Sequence, residues 1–306
     1  MFYTYARVKG VEVVAKFPYK IGIVAFMIFP ELIKSDKDAA EKLKILIEDP
    51  FFELLEVGYI GNEEWGRIAS MKPTVEFARA LQPEVLVQKY NPNALDEVER
   101  KKAEEVLVRE TRIAGERGMC AVALCSGPVV PEDKKEQAIE ALVKTLKAIA
   151  EEASKYNMPV FLETFDYAWD KKRLIGPLPL GVKVIDKARE SYKNVYLMWD
   201  LSHGPLLNEE PEVIKSYPDY IGHIHMGCAK KVDDKLYDWH PGFYRPGALN
   251  TEKEVARLLA VLHDIKYKGA VSFEVKPEGD QQPLEVLHAA KSVLVRAYQL
   301  FLETKI

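Results

Sequence analysis

The sequence predicts an α/β protein, a single (β/α)8 TIM barrel occupying residues 1–306, and three features carry that prediction. Eight short apolar runs recur along the chain, segments with helical periodicity separate them, and four of the runs carry a carboxylate or an imidazole at or next to their C-terminal ends. Strand and helix alternating eight times in one chain describe a parallel sheet closed on itself and ringed by helices. A doubly wound open sheet is the alternative architecture. With 48% hydrophobic residues the chain has ample material for either core.

Residues 1–19 stand before the first run as an extension, whose alternation from Phe2 to Phe17 predicts an extra strand or a hairpin. The eight runs are Ile21–Met27, Phe52–Val57, Val85–Gln88, Cys120–Cys125, Pro159–Glu163, Val195–Trp199, Tyr220–His225 and Ala270–Val275. They are rich in Val, Ile, Phe and Leu, as expected of parallel strands covered on both faces. Between them, apolar residues at three- and four-residue spacing predict helices, most clearly over Ala94–Arg117, Lys134–Tyr156, Thr251–Asp264 and Pro283–Thr304. Asn250 and Thr251 offer an N-cap to the third of these, with Glu252 and Glu254 as first-turn acids. Neither a low-complexity segment nor a Pro/Ser linker divides the chain, so one domain is expected.

Charge and cysteine usage exclude some function classes. The 43 basic and 47 acidic residues leave a net charge of −4, with no global basic field to attract a nucleic-acid backbone. The most apolar early run, Ile21 to Pro30, is too short for a bilayer span of about 20 residues and reads as a buried strand, so no membrane partner is expected. Cys120, Cys125 and Cys228 are an odd number without CxxC spacing. They suggest neither a disulfide framework nor a thiolate zinc site, and a reducing cytoplasm fits them best.

The strand ends carry the chemistry, because the C-terminal ends of barrel strands line the mouth where such proteins place their sites. The fifth run ends at Glu163, the sixth continues to Asp200 and His203, the seventh contains His223 and His225, and the eighth reaches Glu274. Gathering carboxylates in a dry mouth is costly unless a cation compensates. Glu163, Asp200, His225 and Glu274 are therefore expected to hold one divalent metal ion. Three carboxylates and one imidazole suit Mn2+ first, with Mg2+, Co2+ and Zn2+ as alternatives. Of His223 and His225 only one is expected to face the mouth, and His223 is assigned a structural place towards the helices. Glu56, ending the second run, is expected either to reach distal substrate hydroxyls or to pair with a cation such as Arg67.

At these residues the sequence resembles the xylose isomerase-like TIM-barrel superfamily, in particular its sugar isomerase/epimerase branch, the D-tagatose 3-epimerase-like proteins. The resemblance runs from Ile21 to the C-terminus. It is carried by Glu163, by Asp200 with His203 three residues on, by the His225 of His223-Ile224-His225, by the Glu274 of Ser272-Phe273-Glu274, and by Arg245-Pro246-Gly247. It implies a metal-dependent isomerase or epimerase of carbohydrate metabolism, acting on a keto-sugar or keto-sugar acid through an enediolate. Glu163 and Glu274 would serve as metal ligands and as the acid–base pair, His203 and Arg245 would bind substrate oxygens, and the protein would form a dimer or tetramer. One departure lies within residues 228–247, where Lys230 to Phe243 intervene between His225 and Arg245 as an insertion on the active face. Its Tyr237, Trp239, His240 and Phe243 are expected to form an aromatic lid over the substrate.

Two competing functions share the fold. A keto-inositol (inosose) dehydratase-like lyase would begin with the same proton abstraction and then lose a hydroxyl group. An endonuclease IV-like phosphodiesterase would need a trinuclear zinc cluster with more histidines than His203, His223 and His225 supply near the sixth and seventh strand ends. Lys172 and Arg173, just past the fifth strand, suit a substrate carboxylate, whereas no Gly-rich loop at the seventh and eighth strands invites a phosphate ester.

Overall fold

A computed structural model describes residues 2–305. The chain opens with an antiparallel hairpin, β1 (Tyr3–Val8) and β2 (Val11–Lys16), and continues through β3 (Lys20–Val24), β4 (Leu54–Val57), β5 (Glu76–Ala80), β6 (Val122–Cys125), β7 (Val160–Glu163), β8 (Val195–Asp200) and β9 (Ile221–Gly227). A small second hairpin of β10 (Lys230–Val232) and β11 (Lys235–Tyr237) precedes β12 (Ala270–Glu274). Strands β3 to β9 and β12 pair in parallel in chain order, and β12 closes on β3 to complete an eight-stranded barrel. The expected TIM barrel is the fold found. Helices Glu97–Glu116, Lys135–Ser154, Leu178–Arg189, Glu252–Asp264 and Pro283–Lys305 pack outside it.

Seven of the eight apolar runs fall on barrel strands, and the third is corrected. Val85–Gln88 belongs to no strand; the third barrel strand is β5, and residues Gln82–Leu86 form a short helix entered through Pro83. β5 reads poorly as a buried strand because Glu76-Phe77-Ala78-Arg79-Ala80 carries two charges. Arg79 is buried all the same, its charge answered by Glu84 and, at 3.3 Å, by Glu110 of the Glu97–Glu116 helix.

Small residues fill the lower interior, where Leu54, Ala78 and Ala121 form a buried cluster against Phe161 and Ala270. A Cβ at Gly22 would come within 2.2 Å of Ser272 Oγ, so only glycine fits there. Higher up the interior turns polar, with buried Glu56, Ser272, His223 and His225. This corrects the place expected of His223. Residues two apart in a strand share a face, so both imidazoles enter the barrel, and His223 stacks on Phe161 with ring centroids 5.5 Å apart.

The N-terminal hairpin turns through Lys9 and Gly10, both with positive φ (49° and 85°), as a two-residue connection requires. It is tied to the last helix by Tyr298, whose hydroxyl donates to the Lys16 carbonyl at 2.7 Å. Thr251 caps the Glu252–Asp264 helix in a capping box with Glu254. Asn250 serves the barrel instead of the helix, since its side-chain amide donates to the Leu201 and Gly227 carbonyls at 3.0 and 2.8 Å and so joins the ends of β8 and β9. Among the described residues no helix is long and apolar enough to cross a membrane.

Candidate metal centre

The C-terminal ends of β7, β8, β9 and β12 bring Glu163, Asp200, His225 and Glu274 together, one donor atom of each lying within 4.8 Å of the others. A register slip makes this possible. Leu197 pairs with Ile221, but after an irregularity at Leu197/Met198 the partner of Asp200 is His225. Without the slip Asp200 would stand opposite Ile224, whose side chain points away from the mouth.

All four side chains are held in place. Asp200 Oδ1 accepts from the Ser202 N–H at 2.8 Å, and Oδ2 accepts from the Ser202 hydroxyl. Gln82 Nε2 donates to Glu163 Oε2 at 2.8 Å, whereas Glu163 Oε1 is buried with no hydrogen-bond partner among the described residues. His225 Nε2 lies 3.0 Å from Glu56 Oε2, and its Nδ1 lies 2.7 Å from Glu274 Oε2. Glu56 also binds His223 Nε2, at 2.8 Å, rather than Arg67, which pairs with Glu64. A carboxylate only accepts, so His225 meets both Glu56 and Glu274 only with a proton on each ring nitrogen, and a divalent ion at Nδ1 would take the place of one of those protons. The orphaned Glu163 oxygen, crowded by three more donors, calls for a cation. The four residues fit a divalent ion.

The same crowding separates the two glutamates. Burial, with the Glu274 charge beside it, pushes Glu163 up to about 8. Burial also works to raise Glu274, but His240 and His225 outweigh it and hold that carboxyl below its ordinary value. Burial works to lower His225, and Glu56 and Glu274 outweigh it, keeping the imidazole well above its ordinary value.

The inserted segment contributes to the centre directly. Asp238 and His240, which follow β11, are buried beside Asp200. His240 Nε2 lies 2.7 Å from Asp238 Oδ1, and its Nδ1 has no hydrogen-bond partner among the described residues and sits 3.8 Å from Asp200 Oδ2. His203 donates through Nδ1 to the Thr164 carbonyl at 2.9 Å, and its Nε2 meets Asp238 Oδ1 at 3.1 Å. Asp200, His203 and His240 thus form a second group with donors within 4.8 Å of one another. Nothing in the sequence pattern marked Asp238 and His240 as ligands beyond an acid and a histidine two residues apart in a segment over the mouth.

A cleft of about 500 Å³ opens onto the centre, bordered by Glu56, Glu163, His225, Glu274 and Trp239. His203 does not line it, and both its ring nitrogens are engaged within the protein. Arg245 does not line it either: its guanidinium is taken by Glu278 at 2.6 Å and Asp280 at 2.7 Å. Both differ from the substrate contacts expected of them. Of the aromatic segment, Trp239 borders the cleft with Tyr237 packed on it at 4.4 Å between ring centroids, while Phe243 is buried in the core. Gln82, which steadies Glu163, escapes a sequence reading that places the third strand at Val85–Gln88.

The sequence matches the family described as xylose isomerase-like TIM barrel over residues 20–294. No curated protein matches it. Among solved structures, an L-ribulose 3-epimerase is 20% identical, with a TM-score of 0.67 over 94% of this chain and 95% of its own. The IolI protein with a bound zinc atom is 14% identical, with a TM-score of 0.69 over 92% and 99%. The 3-keto-D-glucoside 4-epimerase YcjR of E. coli is 15% identical, with a TM-score of 0.66 over 90% and 98%. At these identities the likeness is one of fold.

Proposed function

The chain belongs to the xylose isomerase-like TIM-barrel family, and from that premise we propose that it is a metal-dependent sugar epimerase or isomerase with Glu163 and Glu274 as its acid–base pair. The substrate class is a keto-sugar or keto-sugar acid, in keeping with the ribulose and keto-glucoside epimerases it resembles in fold. The observation that carries the reading is that Glu163 and Glu274 border one cleft beside Asp200 and His225, with Glu163 Oε1 buried and without a hydrogen-bond partner among the described residues. Two carboxyl groups so placed can take and return a proton at one carbon. Glu274, kept ionised by two imidazoles, takes the proton from the carbon next to the carbonyl, and Glu163 returns one from across the cleft. Gln82 orients Glu163 through Oε2 and leaves Oε1 free for that proton, 3.9 Å from His225 Nδ1.

Glu163, Asp200, His225 and Glu274 are the residues that would hold the ion, Mn2+ by donor type. When bound, a divalent ion polarises a carbonyl and stabilises the negative charge that develops on its oxygen. Trp239, at the cleft wall, excludes water from the reacting carbon.

Incubation with a panel of 2-ketohexoses in D2O tests the reading. Wild type should exchange the proton next to the carbonyl without dehydrating the sugar. Glu163→Gln and Glu274→Gln should each slow exchange by about 100-fold or more with the fold intact. Dehydration alongside exchange would move the protein to the lyase reading, and wild-type rates in both variants would remove the glutamates from the chemistry.

One observation favours a second reading. His203, Asp238 and His240 converge beside the first ligand set, and two ions side by side suit hydrolysis of a phosphate ester, the endonuclease IV-like chemistry. Two ions per chain together with cleavage of a phosphodiester would establish it over the epimerase.

A further inference from the structure

Three arginines of this protein are deeply buried among the described residues, and only one of them lacks a carboxylate. Arg79 is 4% exposed and pairs with Glu84 and Glu110; Arg100 is 1% exposed and pairs with Glu97 and Glu104. Arg173 is 9% exposed, yet no carboxylate oxygen lies within 4.0 Å of its guanidinium among the described residues. The side-chain hydrogen bond it makes runs from Nε to the Lys171 carbonyl, 2.9 Å away. A buried guanidinium that keeps its charge needs an anion beside it. Arg173 borders the cleft instead, as does Lys276, which has no ion pair either among the described residues.

The loop that carries Arg173 is built rather than loose. The buried Asp166 carboxylate accepts from the backbone N–H groups of Ala168, Trp169, Asp170 and Lys171, which ties the loop into a compact turn. Arg173 then donates its own N–H to the Asp166 carbonyl at 2.7 Å and bridges to Pro128. Within this loop Lys171 has its charge answered by Asp170, at 2.6 Å. Arg173 borders the same cleft as Glu163 and Glu274, so the free cation faces the space that the acid–base pair faces.

We infer that Arg173, with Lys276 as a second cation, is the receptor for an anionic oxygen group carried by the substrate, a carboxylate or a phosphate. The planar fork of Arg173 offers two parallel N–H donors to such a group, and its distance from bulk water strengthens the contact. The inference rests on the reading of the cleft as a keto-sugar site and narrows that substrate to a charged sugar.

The Mn2+-loaded protein is titrated calorimetrically with three matched, unreactive aldoses: D-galactose, D-galacturonate and D-galactose 6-phosphate. At least one charged sugar should bind roughly 10- to 100-fold tighter than the neutral one. Arg173→Met should erase that preference and Arg173→Lys should restore part of it, with metal content and melting temperature reporting that each variant is folded. Tightest binding of galacturonate assigns a sugar acid, and tightest binding of the phosphate a sugar phosphate. Equal affinity for charged and neutral sugars in wild type overturns the inference, as does a preference that survives Arg173→Met. Deuterium exchange into D-fructose and D-fructuronate, run in parallel, separates the two readings. Exchange without anion preference sinks only the charged-sugar inference; anion preference without exchange on either ketose sinks only the epimerase.

Discussion

A carboxyl pushed up to about 8 keeps its proton over a range in which an ordinary glutamate, with a value of 4.5, has lost it. For Glu163 the linkage follows directly. Between those two values the folded protein binds more protons than the unfolded chain, so stability falls as pH rises through that window and levels off above about 8. His225, held well above its ordinary value, acts with the same sign. Ion binding competes with protons on its donor atoms. The chelator-treated protein should therefore lose melting temperature as pH climbs towards 8, and its affinity for Mn2+ should rise over the same range. Calorimetry with and without EDTA checks both slopes; Glu163→Gln should flatten the first, and a melting temperature independent of pH would refute the assignment. At this scale the sequence was informative where a candidate donor sits at a strand end, as Glu163, Asp200 and Glu274 do. It was silent where a loop residue acts on a ligand, as Gln82 does, because nothing local marks the partner.

Among the elements, the inserted segment divides into two kinds of residue. Trp239, 46% exposed, borders the cleft, whereas Phe243, 4% exposed, packs in the core. Only Trp239 of these two stands where it could cover a substrate. Trp239→Ala should raise KM and lower kcat on an accepted substrate with the melting temperature nearly unchanged. Phe243→Ala should instead cost about 3–5 kcal/mol of stability and leave KM close to wild type. Steady-state kinetics paired with denaturant unfolding separates the two; similar kinetic losses in both variants would mean that the segment acts as one rigid unit. β5 teaches a related lesson. Its Arg79 makes the strand look exposed, and only the carboxylates of Glu84 and Glu110, one of them on a distant helix, allow that charge inside.

For the whole molecule, the candidate metal centre joins four neighbouring strands of the second half of the chain, β7, β8, β9 and β12, so an ion bound there would tie those strand ends together. A saturating divalent ion should stabilise the protein by about 2.7 kcal/mol at a free concentration one hundred times its Kd. EDTA should reverse the shift, and His225→Ala should abolish it. Metal analysis of the same samples counts ions per chain and decides whether Asp200, His203 and His240 hold another. The alternation of strand and helix was legible along the chain because burial on both faces forces continuous apolar runs, and the convergence of Glu163, Asp200, His225 and Glu274 was legible because barrel strands end at a common mouth. His223 shows where a correct strand was not enough, since its two-residue period places it inside with His225. Three further matters were settled only in three dimensions: the slip that turns Asp200 towards His225, the approach of Asp238 and His240 to that centre, and the diversion of Arg245 to Glu278 and Asp280. Each depends on contacts between residues far apart in the chain, formed only when the closed barrel brings those segments together, and no local pattern of residues encodes which partner a loop side chain will meet.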